Sequence, residues 1–576
     1  MKTKFRIQFI YVVCLNLSGI LLYGHDIAVH QAVTLNAHQS ASRNSTAYAG
    51  FIGIITNDAH LSDVINNLKR GSRYEDNNGW FEDSGDVDVG GKRSLNHFYD
   101  PLTGLGLSET PAESPATVGR DSFTWSSVSN CAGINFPGVT WFGFGKNVST
   151  SNIWSWENAR GYEWLGLTAA SQSDRKTHIL NMFQAIGQVM HLLEDASQPQ
   201  HVRNEQHLDK IIGFNTPWRS PIEDWGNANV PNLNFGDGSM LDWRGAGFTK
   251  LEDFWNRHLY AGDFAVLAAA ENSSAQLGLA EWCNGNFLGD RHSYAEYYQS
   301  PDIRFYPNPT LANTDFRAKL ASASIPVQVS YLKNGKSVNR IYINKTGGGV
   351  KVSDHSVLNY LGVYSKTRGH FTSVSTSIRD DNVLSNYHNV FIPKAVKYGA
   401  GMLDYFFRGQ LALTITRNIG QDDDYFTINA QNVSGQTLSG GTFFLYKEDD
   451  AHNRTLLSQT NLIGALSEGN NETLVVPSET LMSTNTSFFL IYQGTIGVAN
   501  GTGSDPMDAG ISIAVNKFGV FANNEFIHVG CDRLSDGDVF NYHTVPASTA
   551  YSPISEADAE HLADGVYAEF YPYECF

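Results

Sequence analysis

The stretch HLLEDASQPQH, His191 to His201, closes an apolar helical run with groups that bind cations. Residues four apart on an α-helix lie roughly 40° apart about its axis and share a face. His191 and Asp195 can therefore meet one ion, and imidazole with carboxylate suits zinc. Pro199 ends the helix and turns the chain, so His201 can return to the same pocket. His207 follows, and SPIEDW adds an acid at Glu223 or Asp224. One helix face and one loop thus offer His191, Asp195, His201, His207 and Glu223 as candidate ligands. A lone surface His beside an acid is usually only solvated. Four such groups between His191 and His207 arise by chance much less often.

Upstream, GSRYEDNNGWFEDSGDVDVGGKRSLNHFYDPLTG is rich in acids, glycine and aromatics, and Asp76 and His97 stand out in it. Its run EDSGDVDVGG has oxygen ligands for calcium, but the glycines do not fit an EF-hand loop, and a solvated loop is the simpler reading. No Ser-His-Asp pattern or phosphate-cradling loop competes. Gly347–Gly349 follow NKT without a Lys-Ser/Thr after them, so they read as a loop.

Taken together, the His-x3-Asp-x5-His spacing, the ED…HFYD segment and an N-terminal GH…A helix resemble the zinc-dependent phospholipase C family. That family shares its fold with the single-strand-specific zinc nucleases. The resemblance spans roughly residues 24 to 225 and reaches toward the helices ending at DYFFRG. It implies a mainly helical domain holding three zinc ions in a cleft. It assigns His25, with Ala32 seven residues on, to the first helix, and His30 is a rival for that role. Asp76, His97 and His191 hold the next ion, Asp195 bridges two ions, and His201 begins the last site. His207 and Glu223 are the best match for its other ligands, yet they stand sixteen apart where the family has four. Family members also begin, once processed, with a zinc-binding Trp, and no Trp precedes His25. Cleavage after Gly24 would put the amine of His25 in that place.

Resemblance and donor chemistry agree on phosphodiester hydrolysis, with Asp76 also orienting or deprotonating the attacking water. Phospholipase C acting on phospholipid headgroups is favoured over a single-strand nuclease because the HFYDP match is the longer one. The partners implied are a phospholipid or other phosphodiester, with peripheral membrane contact. Nucleic acid enters only as substrate of the nuclease alternative. Trp80, Trp141, Trp154, Trp156 and Trp225 suit a base or a lipid, though core packing is the default for most of them. A third reading is an adhesion or carbohydrate-binding protein on a metal-stabilised scaffold. It sits poorly with a nearly complete ligand set, because a structural zinc site closes with four ligands.

Several elements must position these groups. SDRKTHILNMFQAIGQVMHLLED, capped by Ser173 or Asp174, puts Ile179, Met182, Phe183, Ile186, Met190 and Leu193 on one face. HDIAVHQAVTLNA and WSWENARGYEWLGLTAA read as helices, as does TNDAHLSDVINNLKRG with a stop at Gly71. NVLSNYHNV and PKAVKYGAGMLDYFFRG read as two pieces started or kinked at Pro393. After Gly409, short β-branched and aromatic runs separated by Gly, Asn, Asp and Ser predict an immunoglobulin-like β-sandwich. The fold expected is multidomain: a signal over 1–24, a helical metal domain over 25–409, and a β region over 410–576 for attachment or stability. The part from about residue 500 completes that β region or forms a small lobe.

The chain has 576 residues, too many for one ordinary core, with 41% apolar and 17% charged residues. Its formal charge is −18, and no Lys/Arg cluster offers a nucleic-acid grip, though bound cations would alter that balance. Lys2, Lys4 and Arg6 before FIYVVCLNLSGILL read as an export signal, which predicts a secreted or extracytoplasmic protein. Export permits disulfides, with Cys131–Cys283 and Cys531–Cys575 the pairings within domains.

Overall fold

The computed structural model describes residues 27–76, 96–106, 120–129, 152–205, 207, 210–211, 214–215, 220–271, 276–290, 329–333, 336–340, 342–345, 349–358, 376–418, 425–477, 486–497, 505, 507–520, 525–533 and 539–546. The export signal, His25, Trp80, Trp141, the EDSGDVDVGG run, Cys131 and Cys575 lie outside these residues. No helix among the described residues is long and apolar enough to cross a membrane.

A helical region comes first and strand-rich sheets follow. The helices are α1 (Ile27–Asn44), α2 (Thr46–Ile55), α3 (Leu61–Asp76), α4 (Ser122–Ser127), α5 (Trp156–Thr168), α6 (Gln172–Asp195), α7 (Pro221–Asn229), α8 (Phe264–Glu271), α9 (Leu279–Asn286) and α10 (Asp381–Phe406). Small antiparallel sheets lie between α6 and α10: β1 (Lys210–Ile211) with β2 (Phe214–Asn215), β3 (Val329–Lys333) with β4 (Lys336–Arg340), and β5 (Tyr342–Lys345), β6 (Val352–Leu358) and β7 (Thr376–Ser377) together.

By chain contacts the protein divides into two compact units. One takes residues 1–37, 68–156 and 185–399, and the other takes 38–67, 157–184 and 400–576. The second unit holds β8 (Leu411–Asn418), β9 (Tyr425–Asn432), β10 (Leu438–Glu448), β11 (Arg454–Asn461), β12 (Ala465–Leu466), β13 (Asn471–Pro477), β14 (Thr486–Ile496), β15 (Ser512–Val520), β16 (Glu525–Arg533) and β17 (Val539–Pro546). They form a sheet ordered β13-β9-β8 and a larger one ordered β11-β10-β14-β15-β16-β17, with β12 on β10. Alternate residues supply one shared core: Leu411, Leu413 and Ile415 from β8, Phe426 and Ile428 from β9, and Phe443, Leu445, Phe488, Leu490 and Phe518 from the larger sheet. This two-residue period across both sheets makes a sandwich.

The local departures have physical reasons. Helix α3 runs past Gly71 instead of stopping there. A Cβ on Gly187 of α6 would lie 2.2 Å from the Leu68 carbonyl oxygen and 3.1 Å from the Gly71 Cα. Both glycines mark a close crossing of α3 and α6, so Gly71 is a packing residue. Helix α10 is one helix through Pro393. Buried Phe391, Ile392, Ala395 and Val396 outweigh the lost hydrogen bond. Ser171, not Ser173 or Asp174, caps α6, its hydroxyl accepting from the Asp174 N–H at 3.1 Å. Cys283 is a buried free thiol donating to the Ser197 carbonyl at 2.9 Å, so the expected Cys131–Cys283 bridge is not formed.

Candidate metal centre

Helix α6 delivers the central candidate ligands. Met182, Phe183, Ala185, Ile186, Val189, Met190, Leu192 and Leu193 are all buried, so its last turns are enclosed on every side. His191 and Asp195 project together from its end, and His191 Nε2 lies 3.4 Å from Asp195 Oδ2. Helix α3 ends on Glu75–Asp76 and α6 on Glu194–Asp195. Acids at helix C-termini oppose the macrodipole, so these ends call for positive charge nearby.

The remaining candidate ligands are tied to the same place. Tyr99 N–H donates to the His201 carbonyl and His201 Nδ1 donates to the His97 carbonyl, both at 3.1 Å. The Phe98 ring stacks on His201 with centroids 4.5 Å apart. Helix α7 starts at Pro221 behind the N-cap Ser220, which brings Glu223 into its first turn. Gln198 Nε2 donates to Glu223 Oε1 at 2.6 Å and orients that carboxylate.

The chain brings together three groups of possible ligands among the described residues: His30, Asp76 and His191; His97, Asp195 and His201; and His201, His207 and Glu223. Within each, the ligand atoms lie within 4.8 Å of one another, and every residue is buried. His201 belongs to two groups. Asp195 reaches toward two as well, with Oδ2 2.9 Å from His97 Nδ1 and Oδ1 3.4 Å from His30 Nε2. Asp76 Oδ1 sits 3.5 Å from His97 Nδ1 and 3.7 Å from His191 Nε2. The sixteen-residue gap between His207 and Glu223 is spanned by the β1–β2 hairpin and the start of α7, and the two meet at 2.5 Å. His25 lies outside the described residues, and its rival His30 joins the first group. Asp224 joins none of the groups. Trp154 and Trp156 are buried, as packing residues are, and Trp225 lies against the His388 ring at 4.7 Å.

These residues fit cations. His191 Nδ1 lies 2.7 Å from the Ser72 carbonyl, which fixes Nδ1 as the donor and leaves Nε2 its lone pair. His201 Nδ1 and His207 Nδ1 face the carbonyls of His97 and Glu205 in the same way. The opposite ring nitrogens face carboxylate oxygens, His191 Nε2 at 3.4 Å from Asp195 Oδ2 and His201 Nε2 at 3.6 Å from Glu223 Oε1, so each such pair calls for a proton or a cation between its two atoms. Both Asp195 oxygens and His201 Nε2 are buried without a directed protein hydrogen bond. Burial alone would lower His97, but Asp195, with Glu75 and Asp76, raises it to about 10. Burial likewise opposes the charging of His191, which Asp76 and Asp195 raise. Burial would raise Asp195, yet His201, His191 and His97 hold it well below the carboxylate range. Burial, reinforced by the His191 charge, lowers His30 to about 3, and burial holds His201 low. Protons on His97 and His191 thus meet a demand for positive charge that cations would meet better.

Sequence reasoning missed the outer partners. Glu75 accepts from the Trp125 indole N–H at 2.8 Å and lies 3.7 Å from His97 Nε2. Glu194 lies 2.7 Å from His30 Nδ1. The signal available was the doubled acid at each helix end. No family model matches the chain, and no curated protein matches it. Among solved structures it is similar to Alpha Toxin from Clostridium Absonum, with TM-score 0.28 and 12% identity over 85% of this chain and 93% of that one. It is also similar to Clostridium perfringens alpha-toxin isolated from avian strain SWCP, with TM-score 0.24 and 12% identity over 82% and 91% of the two chains. These likenesses are remote, and the reading of the metal centre stands on its own residues.

Proposed function

We propose that the chain is an exported zinc-dependent phosphodiester hydrolase, a phospholipase C acting on phospholipid headgroups. The observation that carries this reading is the linkage of the ligand groups through His201 and Asp195, each group offering three protein side chains. A structural zinc site closes with four ligands, whereas a catalytic one keeps a position for water or substrate. Linked groups also suit clustered ions, for which a purely structural role gives no reason. His30, Asp76, His97, His191, Asp195, His201, His207 and Glu223 would hold the ions. Zinc bound there would acidify water and would neutralise charge on the phosphodiester and its leaving oxygen.

The chain's own groups have distinct tasks. Asp76 orients the attacking water and accepts its proton. Asp195 holds two neighbouring groups in register. The Ser72, His97 and Glu205 carbonyls fix the imidazole tautomers, so the ligand nitrogens are set before substrate arrives. The HFYDP match favours phospholipid over nucleic acid, and a formal charge of −18 is compatible with zwitterionic headgroups.

The test offers purified protein, with and without chelator, phosphatidylcholine vesicles and single-stranded DNA side by side. Chelator-sensitive release of phosphocholine is expected. Chelator-sensitive release of nucleotides would move the assignment to the nucleases. Neither product from zinc-loaded protein would leave a binding scaffold as the better account.

A further inference from the structure

We propose that Glu194 is a positioning residue for the metal centre: its carboxylate holds the His30 ring with Nε2 toward the ligand group, and so sets metal affinity there. This inference rests on the metal reading above and adds to it a residue that binds no ion itself.

Glu194 precedes Asp195 in the last turn of α6, but its side chain turns toward α1. Both its oxygens are engaged. Oε2 lies 2.7 Å from His30 Nδ1, and Oε1 accepts from the Thr34 hydroxyl at 2.9 Å. His30 and Thr34 stand one turn apart on α1, so one helix face presents both donors. The Glu194 and His30 side chains are 1% and 0% exposed, so water does not replace these bonds.

The consequence falls on the ring. His30 stacks on His191 with centroids 3.7 Å apart and planes 18° apart. Stacking fixes the plane of His30 but not its flip, because a half-turn about Cβ–Cγ swaps each nitrogen with a ring carbon, Nδ1 with Cδ2 and Nε2 with Cε1. A carboxylate accepting from Nδ1–H settles that choice and leaves Nε2 with its lone pair, 3.4 Å from Asp195 Oδ1. It also makes the imidazole a stronger donor to a cation. A purely structural Glu194 would only tie α1 to α6, and its loss would then change stability and leave metal binding untouched.

The test titrates metal-free full chain with zinc against a competing chromophoric chelator, and with Co2+ followed by its visible absorption. Glu194→Gln keeps the volume but exchanges one of the two acceptor oxygens for an amide donor. It is expected to weaken one class of site roughly 10- to 100-fold, to alter the Co2+ bands of that class, and to leave the other classes unchanged. Thr34→Val leaves the carboxylate but removes the donor to its second oxygen, and is expected to weaken the same class by less. Wild-type affinity and Co2+ spectrum in both variants would overturn the proposal. If Glu194→Gln fails to fold, Thr34→Val decides it alone by the same two readouts. A wild-type chain that takes up neither metal would overturn the metal reading and this inference with it. Normal uptake by both variants, with wild type binding normally, removes only the role of Glu194.

Discussion

His191 and Asp195 stand one turn apart at the end of α6, with Nε2 3.4 Å from Oδ2, and the Ser72 carbonyl braces the ring from behind at 2.7 Å. Both groups are fully buried, so a cation between them meets little competition from water. His191→Ala and Asp195→Asn are each expected to lose bound zinc and at least about 100-fold in activity, beyond what outer partners contribute. Zinc content by elemental analysis, read beside phosphocholine release, checks this. Full zinc content in both variants would remove these residues from the site.

Removing metal should cost stability as well as activity. The centre packs imidazoles and carboxylates with both Asp195 oxygens lacking directed hydrogen bonds. Each filled site stabilises the folded chain by about 4 kcal/mol when free zinc is a thousandfold above its dissociation constant. Thermal unfolding in chelator should therefore occur at a lower temperature, and added zinc should restore it. An unchanged midpoint would mean that the folded chain does not bind zinc selectively.

Part of this organisation was legible in the sequence. Period and composition located α6 and the strands β8, β9, β10, β13, β14 and β15, because each carries a strong apolar pattern. Strand β11 was missed, because RTLLSQTN leaves half its positions open to solvent and lacks a clean apolar alternation. Gly71 reads as a helix stop in the sequence, but packing makes it a crossing point, and Pro393, read there as a start or a kink, lies inside one continuous helix. At the site, the i, i+4 pair His191 and Asp195 was visible through helix geometry. The braces Ser72, Gln198 and Glu194 were not, because they act across elements distant in sequence.

The β-bearing unit has a charge cluster of its own, with a separate consequence. Arg175 and Arg454 each lie 2.9 Å from Asp58, and Arg454 also lies 2.8 Å from Glu448. These side chains are at most 3% exposed. Arg454→Met leaves buried carboxylates short of a partner and is expected to cost about 3–5 kcal/mol. Urea unfolding measures this, and zinc content should not change. A loss under about 1 kcal/mol, the range of surface pairs, would show that the cluster is hydrated in solution.

Acid should weaken the fold through His38. Burial lowers its pKa from 6.5 to about 4, and Nδ1 lies 2.7 Å from the Tyr48 hydroxyl. The folded chain keeps this ring neutral while the unfolded chain protonates it below 6.5. The stability it contributes is therefore complete above pH 6.5 and is lost as pH falls toward about 4. In chelator, between pH 7.5 and 4.5, wild type is expected to lose about 2 kcal/mol more than His38→Gln. Parallel pH profiles of urea stability would show that His38 does not contribute this loss.

Gly187 joins packing to the site. A Cβ there would lie 2.2 Å from the Leu68 carbonyl, 3.0 Å from its carbon and 3.1 Å from the Gly71 Cα, all backbone that cannot yield without moving α3. The part of α3 that would move carries Ser72, which braces His191, and ends at Asp76. Gly187→Ala is therefore expected to cost about 1–3 kcal/mol through overpacking and to weaken zinc binding at the same time. Val189 is equally buried in the same helix but carries no ligand brace, so Val189→Ala should cost stability with zinc affinity unchanged. Comparing the two variants by urea unfolding and zinc titration separates loss of packing from loss of ligand position. Equal zinc affinities would mean that the α3–α6 crossing supports the fold but does not set the geometry of the ligands.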